Sequence, residues 1–297
     1  MRIFKTILAI VMFATVATSC SNDEPSAHDN YMEQNYTGCF QYIYKKGLNV
    51  GVISTGTTYM FRWRADFTAD VYIKNAKFSA NMPNGIDIAI EGLSWKNIDG
   101  VKKIAAKDVV PTKVTMNGNE MNASTYVLDE LNLDVFERRL MDAQLTYIPN
   151  INMSIVMGDV EVITVQKQKV YFGSTGVTNN AAATNFTINT PYYAVTLNPE
   201  TMKAVVNVYG AKFAEKMPAM DMKFEGILLN ISNLGYTLSC DELVPIVKEG
   251  EVEVPYEMYK ITNLTGNATF AAGLNLQFNC MGVFTVQANL GYAMPAE

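Results

Sequence analysis

Apolar and polar residues alternate along most of the chain, which is the period expected of β-strands with one buried face. Isoleucine occupies every second position in segment 86–90, and Met, Met and Phe do so in segment 220–224. Segments 69–73 and 204–208 show the same period, and turn-forming sequences such as Asn117-Gly118-Asn119 separate the runs. No long stretch beyond the N-terminal segment has helical spacing, so the pattern predicts a β-protein.

The chain after residue 35 contains one series of residues twice, in the same order. The matched positions are 76–78 and 82–83 with 211–213 and 217–218, Asp87 and Glu91 with Asp221 and Glu225, and Met157-Gly158 with Met281-Gly282. Chance can supply a few such pairs but not a collinear series across a whole half, so we interpret the series as an internal duplication. The first copy carries extra residues within 136–144, which predicts a longer hairpin there.

The spacing of the turn signals suits barrels or sandwiches of about eight antiparallel strands in each copy. The predicted fold class is therefore all-β, with two tandem, duplicated antiparallel β-barrel or β-sandwich domains after a cleaved lipoprotein signal. We predict that β-domain 1 covers residues 36–167 and that β-domain 2 covers residues 168–297.

The N-terminal residues have the pattern of an export signal. Residues 1–5 form a short basic segment that contains Arg2 and Lys5. Residues 6–17 are an apolar run too short to cross a bilayer as a mature helix. Small residues then precede Cys20, an arrangement that resembles the lipobox of bacterial lipoproteins. This resemblance implies that the signal peptide, residues 1–19, is removed and that Cys20 carries the lipid anchor. The alternative is a secretory signal that leaves Cys20 an ordinary thiol.

Residues 20–35 are mostly polar and acidic and lack hydrophobic periodicity, so we predict a disordered tether. The stretch resembles the acidic segment that follows the cysteine in surface-exported lipoproteins of the Bacteroides group. The implied location is the outer membrane, on the cell surface rather than the periplasmic face. The lipid anchor is then the expected membrane contact.

The repeated motifs also resemble a known family. Met82-Pro83, the strand that bears Asp87, the turn at Glu91-Gly92 and the hairpin at Met157-Gly158 are similar to the calycin-like domain of Bacteroides-group lipoproteins. The resemblance implies an up-and-down barrel whose interior can hold a small apolar ligand.

Composition narrows the chemistry. The chain has 297 residues with 23 Lys and Arg against 29 Asp and Glu, a net charge of −6, and this acidic balance disfavours a nucleic-acid partner. The one histidine, His28, lies in the predicted tether, which argues against imidazole-dependent catalytic triads, His-ligated zinc and haem. We expect no cofactor and no metal site.

Two pairs of carboxylates occur in both copies, Asp87 with Glu91 and Asp221 with Glu225. Positions four apart on one strand are separated by about 13 Å, which exceeds the roughly 5–9.5 Å between the carboxylates of glycosidases. Solvent-facing acidic residues on half-buried strands are the simpler interpretation, and we predict that the protein is not an enzyme.

Three cysteines remain besides Cys20, namely Cys39, Cys240 and Cys280. Cys240 aligns with Ala106 and Cys280 with Val156 in the other copy, so both thiols are expected to be core residues. A Cys240–Cys280 disulfide and two unpaired buried thiols are both compatible with the sequence, because spacing does not determine connectivity.

The aromatic residues supply the remaining candidates. Trp63 and Trp95 could stack on sugars, but Leu occupies the corresponding positions 197 and 229, which favours core packing. Exposed tyrosines are candidate contacts, and Arg138-Arg139 is a compact basic spot on an acidic body. The tyrosines concerned are Tyr42, Tyr44 and Tyr192-Tyr193.

We therefore predict a non-catalytic binding role for a lipid-anchored envelope protein. The binding partner is either a small apolar ligand inside a barrel or a protein or glycan at the surface; which residues bind it is unknown from the sequence. The alternative is a structural subunit of a cell-surface assembly. Strand exchange is disfavoured for such a subunit, because both copies carry a final strand, 160–165 and 283–290.

Overall fold

The computed structural model describes residues 31–48, 50–136, 150–188, 192–214, 216–249, 252–270 and 273–292. The predicted signal peptide, Cys20, the predicted tether up to residue 30 and Arg138-Arg139 lie outside these ranges. The prediction of a disordered tether was wrong for residues 31–35, because they belong to the strand Tyr31–Tyr36, which pairs with Thr58–Arg64. Within them the chain is all-β, as predicted, and the only helical elements are two short 3₁₀ turns, Ala123–Thr125 and Glu257–Tyr259. None of the described residues belongs to a helix with the length and hydropathy needed to cross a membrane.

The strands are numbered in chain order. Those of the first half are β1 (Tyr31–Tyr36), β2 (Cys39–Lys45), β3 (Gly51–Thr55), β4 (Thr58–Arg64), β5 (Thr68–Ala76), β6 (Ile86–Ser94), β7 (Lys96–Ile98), β8 (Val101–Val109), β9 (Lys113–Met116), β10 (Asn119–Met121), β11 (Leu128–Phe136), β12 (Asn150–Met157) and β13 (Val160–Gln166). Those of the second half are β14 (Gln168–Asn179), β15 (Thr184–Ile188), β16 (Tyr192–Asn198), β17 (Lys203–Ala211), β18 (Met220–Ile231), β19 (Gly235–Leu243), β20 (Ile246–Glu249), β21 (Val252–Pro255), β22 (Ile261–Thr269), β23 (Gly273–Cys280) and β24 (Phe284–Gly291).

The second half forms a closed antiparallel barrel of eight strands. Their order is β17-β16-β14-β24-β23-β22-β19-β18, and pairing between β17 and β18 closes the ring. The hairpin of β20 and β21 extends from β18, and β15 pairs with the end of β14. A closed ring leaves none of its own strands with a free edge.

The strands of the first half pair in the same order as those of the barrel, but two interruptions divide them into two sheets. Their orders are β1-β4-β5-β6-β9-β10 and β3-β2-β13-β12-β11-β8-β7. The position of the continuous strand β14 is taken by β1 and β2, and that of β18 by β6 and β7. The second break lies at Trp95, whose ring packs on Trp63 with a centroid distance of 5.5 Å and whose indole N–H donates to the carbonyl of Thr68. The smaller Leu229 occupies the matching position in the unbroken strand β18.

Local contacts recur between the halves. In each half the methionine of the Met-Pro motif accepts a hydrogen bond through its sulfur. The backbone N–H of Phe78 donates to Met82 at 3.2 Å, and that of Phe213 donates to Met217 at 3.2 Å. The β5–β6 and β17–β18 ladders also have their register shifts at corresponding positions. The duplication itself stays the prediction made from the sequence, and these matched contacts support it.

The strand pairings refine the alignment of the two cysteines. Cys240 lies opposite Leu264 just as Ala106 lies opposite Leu131, in agreement with the sequence alignment. Cys280 lies opposite Phe284 across the last hairpin, the place that Met157 has in the first half. The alignment of Cys280 with Val156 was therefore wrong by one residue, because the β23–β24 loop is one residue longer than the β12–β13 loop.

The halves meet where the start of β14 lies against the outer face of the β12 sheet. Asn150 binds the backbone of Val170 through both its amide atoms, at 2.8 Å and 3.3 Å. The ammonium of Lys169, 1% exposed, donates to Asn152 at 2.8 Å and lies 5.0 Å from the ring centre of Tyr292. Contacts of this kind make Tyr31–Glu297 one compact unit. The predicted boundary at residues 167 and 168 falls between β13 and β14.

We expect Asn150→Ala to lower the free energy of unfolding by about 2 kcal/mol, because it leaves a buried N–H and a buried carbonyl without their partner. Urea unfolding measures the change. The exposed Asn132 on the neighbouring strand β11 supplies the control, since Asn132→Ala should change stability by less than about 0.5 kcal/mol. Equal losses in the two variants would contradict this account of the junction.

Candidate functional site

The barrel interior is filled by its own side chains. Tyr171, Tyr193, Phe213 and Phe224 all have 0% exposed area, so no water-sized space touches them. Phe278 packs edge-on against both phenylalanines, with ring centres 5.1 Å and 5.5 Å apart. A ligand in this part of the interior would have to displace close-packed aromatic rings, which costs several kcal/mol.

The buried tyrosines bind one another and nearby threonines. The hydroxyls of Tyr171 and Tyr236 are 2.6 Å apart, and that of Tyr193 is 2.8 Å from Thr175. Burial raises the pKa of each of the three tyrosines well above its ordinary value, so all three stay neutral at physiological pH. They stabilise the core and offer no anionic group to a ligand.

Most of the tyrosines proposed as exposed contacts are buried. Tyr42 and Tyr44 on β2 are 4% and 8% exposed, and they belong to the hydrophobic core that also includes barrel residues. Tyr193 points into the barrel. The prediction that these three tyrosines are exposed was wrong, because the outer face of β2 is covered and Tyr193 faces the barrel interior. Tyr192 is the one tyrosine of the set that points outward, and it is half-buried.

The tryptophans pack as predicted. Trp63 is 3% exposed, and its indole N–H donates to Gln34 at 2.8 Å. Trp95 is half-buried between Trp63 and Phe67. The ammonium of Lys102 lies 5.1 Å and 5.7 Å from the two indole rings, which places a cation where a sugar would otherwise stack.

The repeated carboxylates have structural partners. Asp87 accepts the backbone N–H of Asn75 at 2.8 Å, and Asp221 accepts that of Gly210 at 2.9 Å, so each closes a bulge in the same place of its half. Glu225 pairs with Lys223 at 2.7 Å. Glu91 accepts the hydroxyl of Tyr72 at 3.1 Å.

Asp70 is a buried carboxylate that the sequence analysis missed. Its side chain is 1% exposed and pairs with Arg64, and its Oδ1 accepts the backbone N–H of Gly92 at 3.0 Å. Burial alone would raise the pKa of Asp70, but the hydrogen bonds from Arg64 and Gly92 outweigh burial and hold the pKa below its ordinary value. This carboxylate is ionised at neutral pH and bound to the sheet through Arg64 and Gly92, which suits a structural role better than acid-base catalysis.

The Asp70→Asn variant should lose about 1.5 kcal/mol of stability at pH 7, because the charged hydrogen bonds to Arg64 are weakened. A carboxylate with a lowered folded pKa stabilises above its unfolded pKa, near 3.9, and loses that contribution as pH falls further. The gap between wild type and variant should therefore close below about pH 4. Urea unfolding at several pH values measures it. A gap that is independent of pH, or one shared by the exposed-turn control Asp99→Asn, would contradict the assignment.

The cysteines are separate thiols in the structure. Cys39 and Cys280 are buried, and Cys240 is half-buried with its sulfur 3.2 Å from the carbonyl of Glu242. Cys240 and Cys280 lie on β19 and β23 with β22 between them, so about two strand spacings, roughly 9.5 Å, separate their backbones. That exceeds the Cα separation a disulfide spans. The structure thus has two unpaired thiols and no Cys240–Cys280 disulfide, with Cys280 buried as predicted and Cys240 half-buried against the core.

Of Cys39, Cys240 and Cys280, alkylation by iodoacetamide at pH 8 should modify Cys240 alone in the folded protein. Burial raises the pKa of Cys39 and Cys280 to about 12, so both lack thiolate as well as access. After unfolding, all three should react, as counted by mass. Cys240→Ser should abolish the native-state reaction. An unfolded protein with one reactive thiol would instead indicate the Cys240–Cys280 disulfide.

No group of three or more His, Cys, Asp or Glu is arranged to hold a metal ion among the residues that the structure describes.

One exposed surface of the barrel consists of uncharged polar side chains, and we call it the amide face. It covers the outward positions of β19, β22, β23, β24 and β14 with the adjoining parts of β18 and β15. Its residues are Ser174, Thr178, Asn185, Thr187, Asn230, Thr237, Ser239, Thr265, Asn267, Asn275, Gln277, Asn279, Thr285, Gln287 and Asn289.

Strand register aligns these side chains in rows across the sheet. The longest row is Asn230, Thr237, Asn267, Asn275, Asn289 and Ser174. A parallel row contains Ser239, Thr265, Gln277 and Gln287. No charged residue interrupts either row, although 18% of the chain is charged.

The centre of the amide face is a shallow depression with a volume of about 390 Å³. Its side-chain lining is Thr265, Asn267, Asn275, Gln277, Gln287 and Asn289. Among the described residues, none engages any of these amides in a side-chain hydrogen bond. Both the carbonyl and the NH₂ of each amide therefore face solvent, available to a ligand.

An aromatic row borders the amide face. Phe172 precedes Ser174 on the outer side of β14 and lies beside Tyr192, with ring centres 5.9 Å apart. Tyr192 stacks on Tyr209 of β17, with ring centres 4.4 Å apart. Sequence reasoning identified Tyr192 but missed the amides, since the outward residues of a strand look the same as any solvated face until strand register assembles them into rows.

A second concavity, the junction pocket, has a volume of about 530 Å³. It lies between the outer face of the sheet containing β8 and β11–β13 and the loops that follow β18 and β22. Leu234 and Phe270 supply apolar walls, and Lys103 pairs with Asp134 at 2.8 Å at one side. It offers a small ligand a site outside the barrel interior.

Comparisons of the chain with protein-family models, with curated proteins and with solved structures found no match. The assignment of function therefore depends on the residues and their geometry.

Proposed function

We propose that this protein is a lipid-anchored lipoprotein of the outer membrane, exposed on the cell surface, with a non-catalytic binding role. The binding surface is the amide face of the barrel in the second half. The observation that carries the proposal is the set of exposed amides in the central depression, which have no side-chain hydrogen-bond partner among the described residues and lie on a surface without charge.

The packing of the core supports an external rather than an internal ligand. Large inward side chains of the barrel, namely Tyr171, Tyr193, Phe213 and Phe224, are fully buried, so the calycin-like resemblance supplies a frame but no open space around these side chains. The junction pocket is then a place where a small apolar ligand could bind, because Leu234 and Phe270 supply apolar walls there.

The role of structural subunit is less well supported. The strands that end the halves, β13 and β24, are both hydrogen-bonded on two sides, β13 by β12 and β2 and β24 by β23 and β14. Neither is free to accept or donate a strand to a neighbouring subunit.

The lipid anchor is tested with Cys20→Ala in the host cell. We expect the wild-type protein to fractionate with the outer membrane and to be digested when intact cells are treated with a protease. The variant should be released from the membrane, because no other part of the proposed scheme holds it there. Cys39→Ala is the matched control and should stay membrane-bound. A wild-type protein that is protected in intact cells would contradict surface exposure.

Native mass spectrometry of the lipoprotein purified from its own envelope tests the external site. We expect the mass of the chain from residue 20 with its covalent acyl groups and no additional small molecule. A further non-covalent lipid-sized mass, lost in a Leu234→Asp/Phe270→Ser variant, would contradict the proposal and move the ligand to the junction pocket.

A further inference from the structure

We infer that the amide face binds neutral polysaccharide chains, with sugar hydroxyls meeting the rows of amides. The inference deepens the proposed function and rests on it, because it assigns a ligand class to the same surface. It has four physical grounds: hydrogen-bond chemistry, charge, spacing and the aromatic border.

Hydrogen-bond chemistry favours a ligand that is rich in hydroxyl groups. An amide side chain offers two N–H donors and a carbonyl acceptor within one plane, and a sugar hydroxyl is both a donor and an acceptor. Two neighbouring hydroxyls of a pyranose can therefore form two hydrogen bonds with one Gln or Asn side chain. In the depression, Gln277 lies opposite Gln287 and Asn275 lies opposite Asn289, so four such groups converge.

Charge excludes the commonest other ligands. Phosphate and carboxylate groups are recognised by Arg, Lys or oriented backbone N–H groups, and the two central rows contain neither Arg nor Lys. The chain as a whole carries a net charge of −6, which repels polyanions further. A neutral ligand meets no such penalty.

A protein partner fits the surface less well. The cores of protein interfaces are enriched in Tyr, Trp, Phe, Met and Arg and depleted in Ser, whereas the amide face is made of Asn, Gln, Ser and Thr. Burying so many amides against a protein would require a partner for every one of them, since an unpaired buried polar group costs about 1–3 kcal/mol. A hydrated sugar chain satisfies the same groups through its hydroxyls and bridging water.

Spacing suits a polymer of sugar units. Adjacent strands are about 4.8 Å apart, a distance similar to the length of one pyranose ring in a chain. A polysaccharide laid across β22, β23, β24 and β14 can thus place successive rings over successive strands. The row from Thr237 to Ser174 provides a polar group at each step.

The first half lacks this surface. Its corresponding row is Lys103, Asp134, Asn152, Val165 and Phe40, of which Lys103 and Asp134 form an ion pair and Phe40 is fully buried. The amides are therefore a property of one half, not a by-product of the shared fold. In the aromatic row next to Ser174, Phe172 is only 6% exposed and packs against Tyr192, so the half-buried rings of Tyr192 and Tyr209 give the apolar faces of the sugars a surface to contact.

Affinity electrophoresis of the detergent-solubilised, full-length lipoprotein provides the test. The native gels contain a neutral β-glucan, α-mannan or galactan, or the anionic polygalacturonate. We expect retardation in at least one neutral gel and none in polygalacturonate. Because no ion pair is involved, the retardation should survive about 0.5 M salt, at which charge interactions are largely screened.

Variants connect the retardation to the surface. Gln277→Glu with Gln287→Glu keeps the shape but places two carboxylates on facing positions, and we expect at least a tenfold weaker affinity. Asn275→Ala with Asn289→Ala should weaken binding similarly. The matched control is Gln168→Glu, an exposed position of β14 outside the amide face, which should bind as wild type. Tyr192→Ala should weaken binding about fivefold through loss of the aromatic contact. Unchanged urea unfolding confirms that each variant is folded.

Three results would overturn the inference. The first is the absence of retardation in every neutral gel, and the second is retardation that the paired variants leave unchanged. The third is a dimer in sedimentation velocity that the paired variants dissociate, which would assign the face to a second copy of the chain. These failures differ from that of the proposed function, which a lipid bound at the junction pocket would contradict.

Discussion

The junction around Lys169 determines which surfaces of this protein are available. A buried ammonium is stable only where polar groups meet it, and here Asn152 and Tyr292 bind it from the two halves at once. The backbone of Lys167 adds a second link, since its N–H donates to Gly38 and its carbonyl accepts from Leu197. These contacts commit the outer face of the first-half sheet to the junction, whereas the amide face of the second half stays open.

The two halves thus differ in shape for local reasons. Trp95 and the turn before Cys39 interrupt strands that run unbroken as β18 and β14 in the second half. The interruptions open one ring into two sheets while keeping its pairings. The outer faces of the two halves also differ in composition. Phe40 and Val165 are buried against the barrel, whereas Ser174 and Asn289 at the matching positions face water.

The sequence allowed the all-β class, the strand positions and the inward phase of residues such as Phe224 to be predicted, because alternation with a period of two reports burial directly. It did not separate barrel from sandwich, since closure depends on whether a strand continues past a single residue. Tyr42 was misjudged because an outward position can be buried by another part of the chain. The amide face escaped prediction for the converse reason, as its residues are far apart in sequence and meet through register.

The closed ring has a mechanical consequence. The strands that carry the central amides, β22, β23, β24 and β14, are all bonded to neighbours on both sides. Moving one amide out of its row would require breaking the ladders on both sides of its strand, so the spacing of the row is held by many hydrogen bonds that must break together.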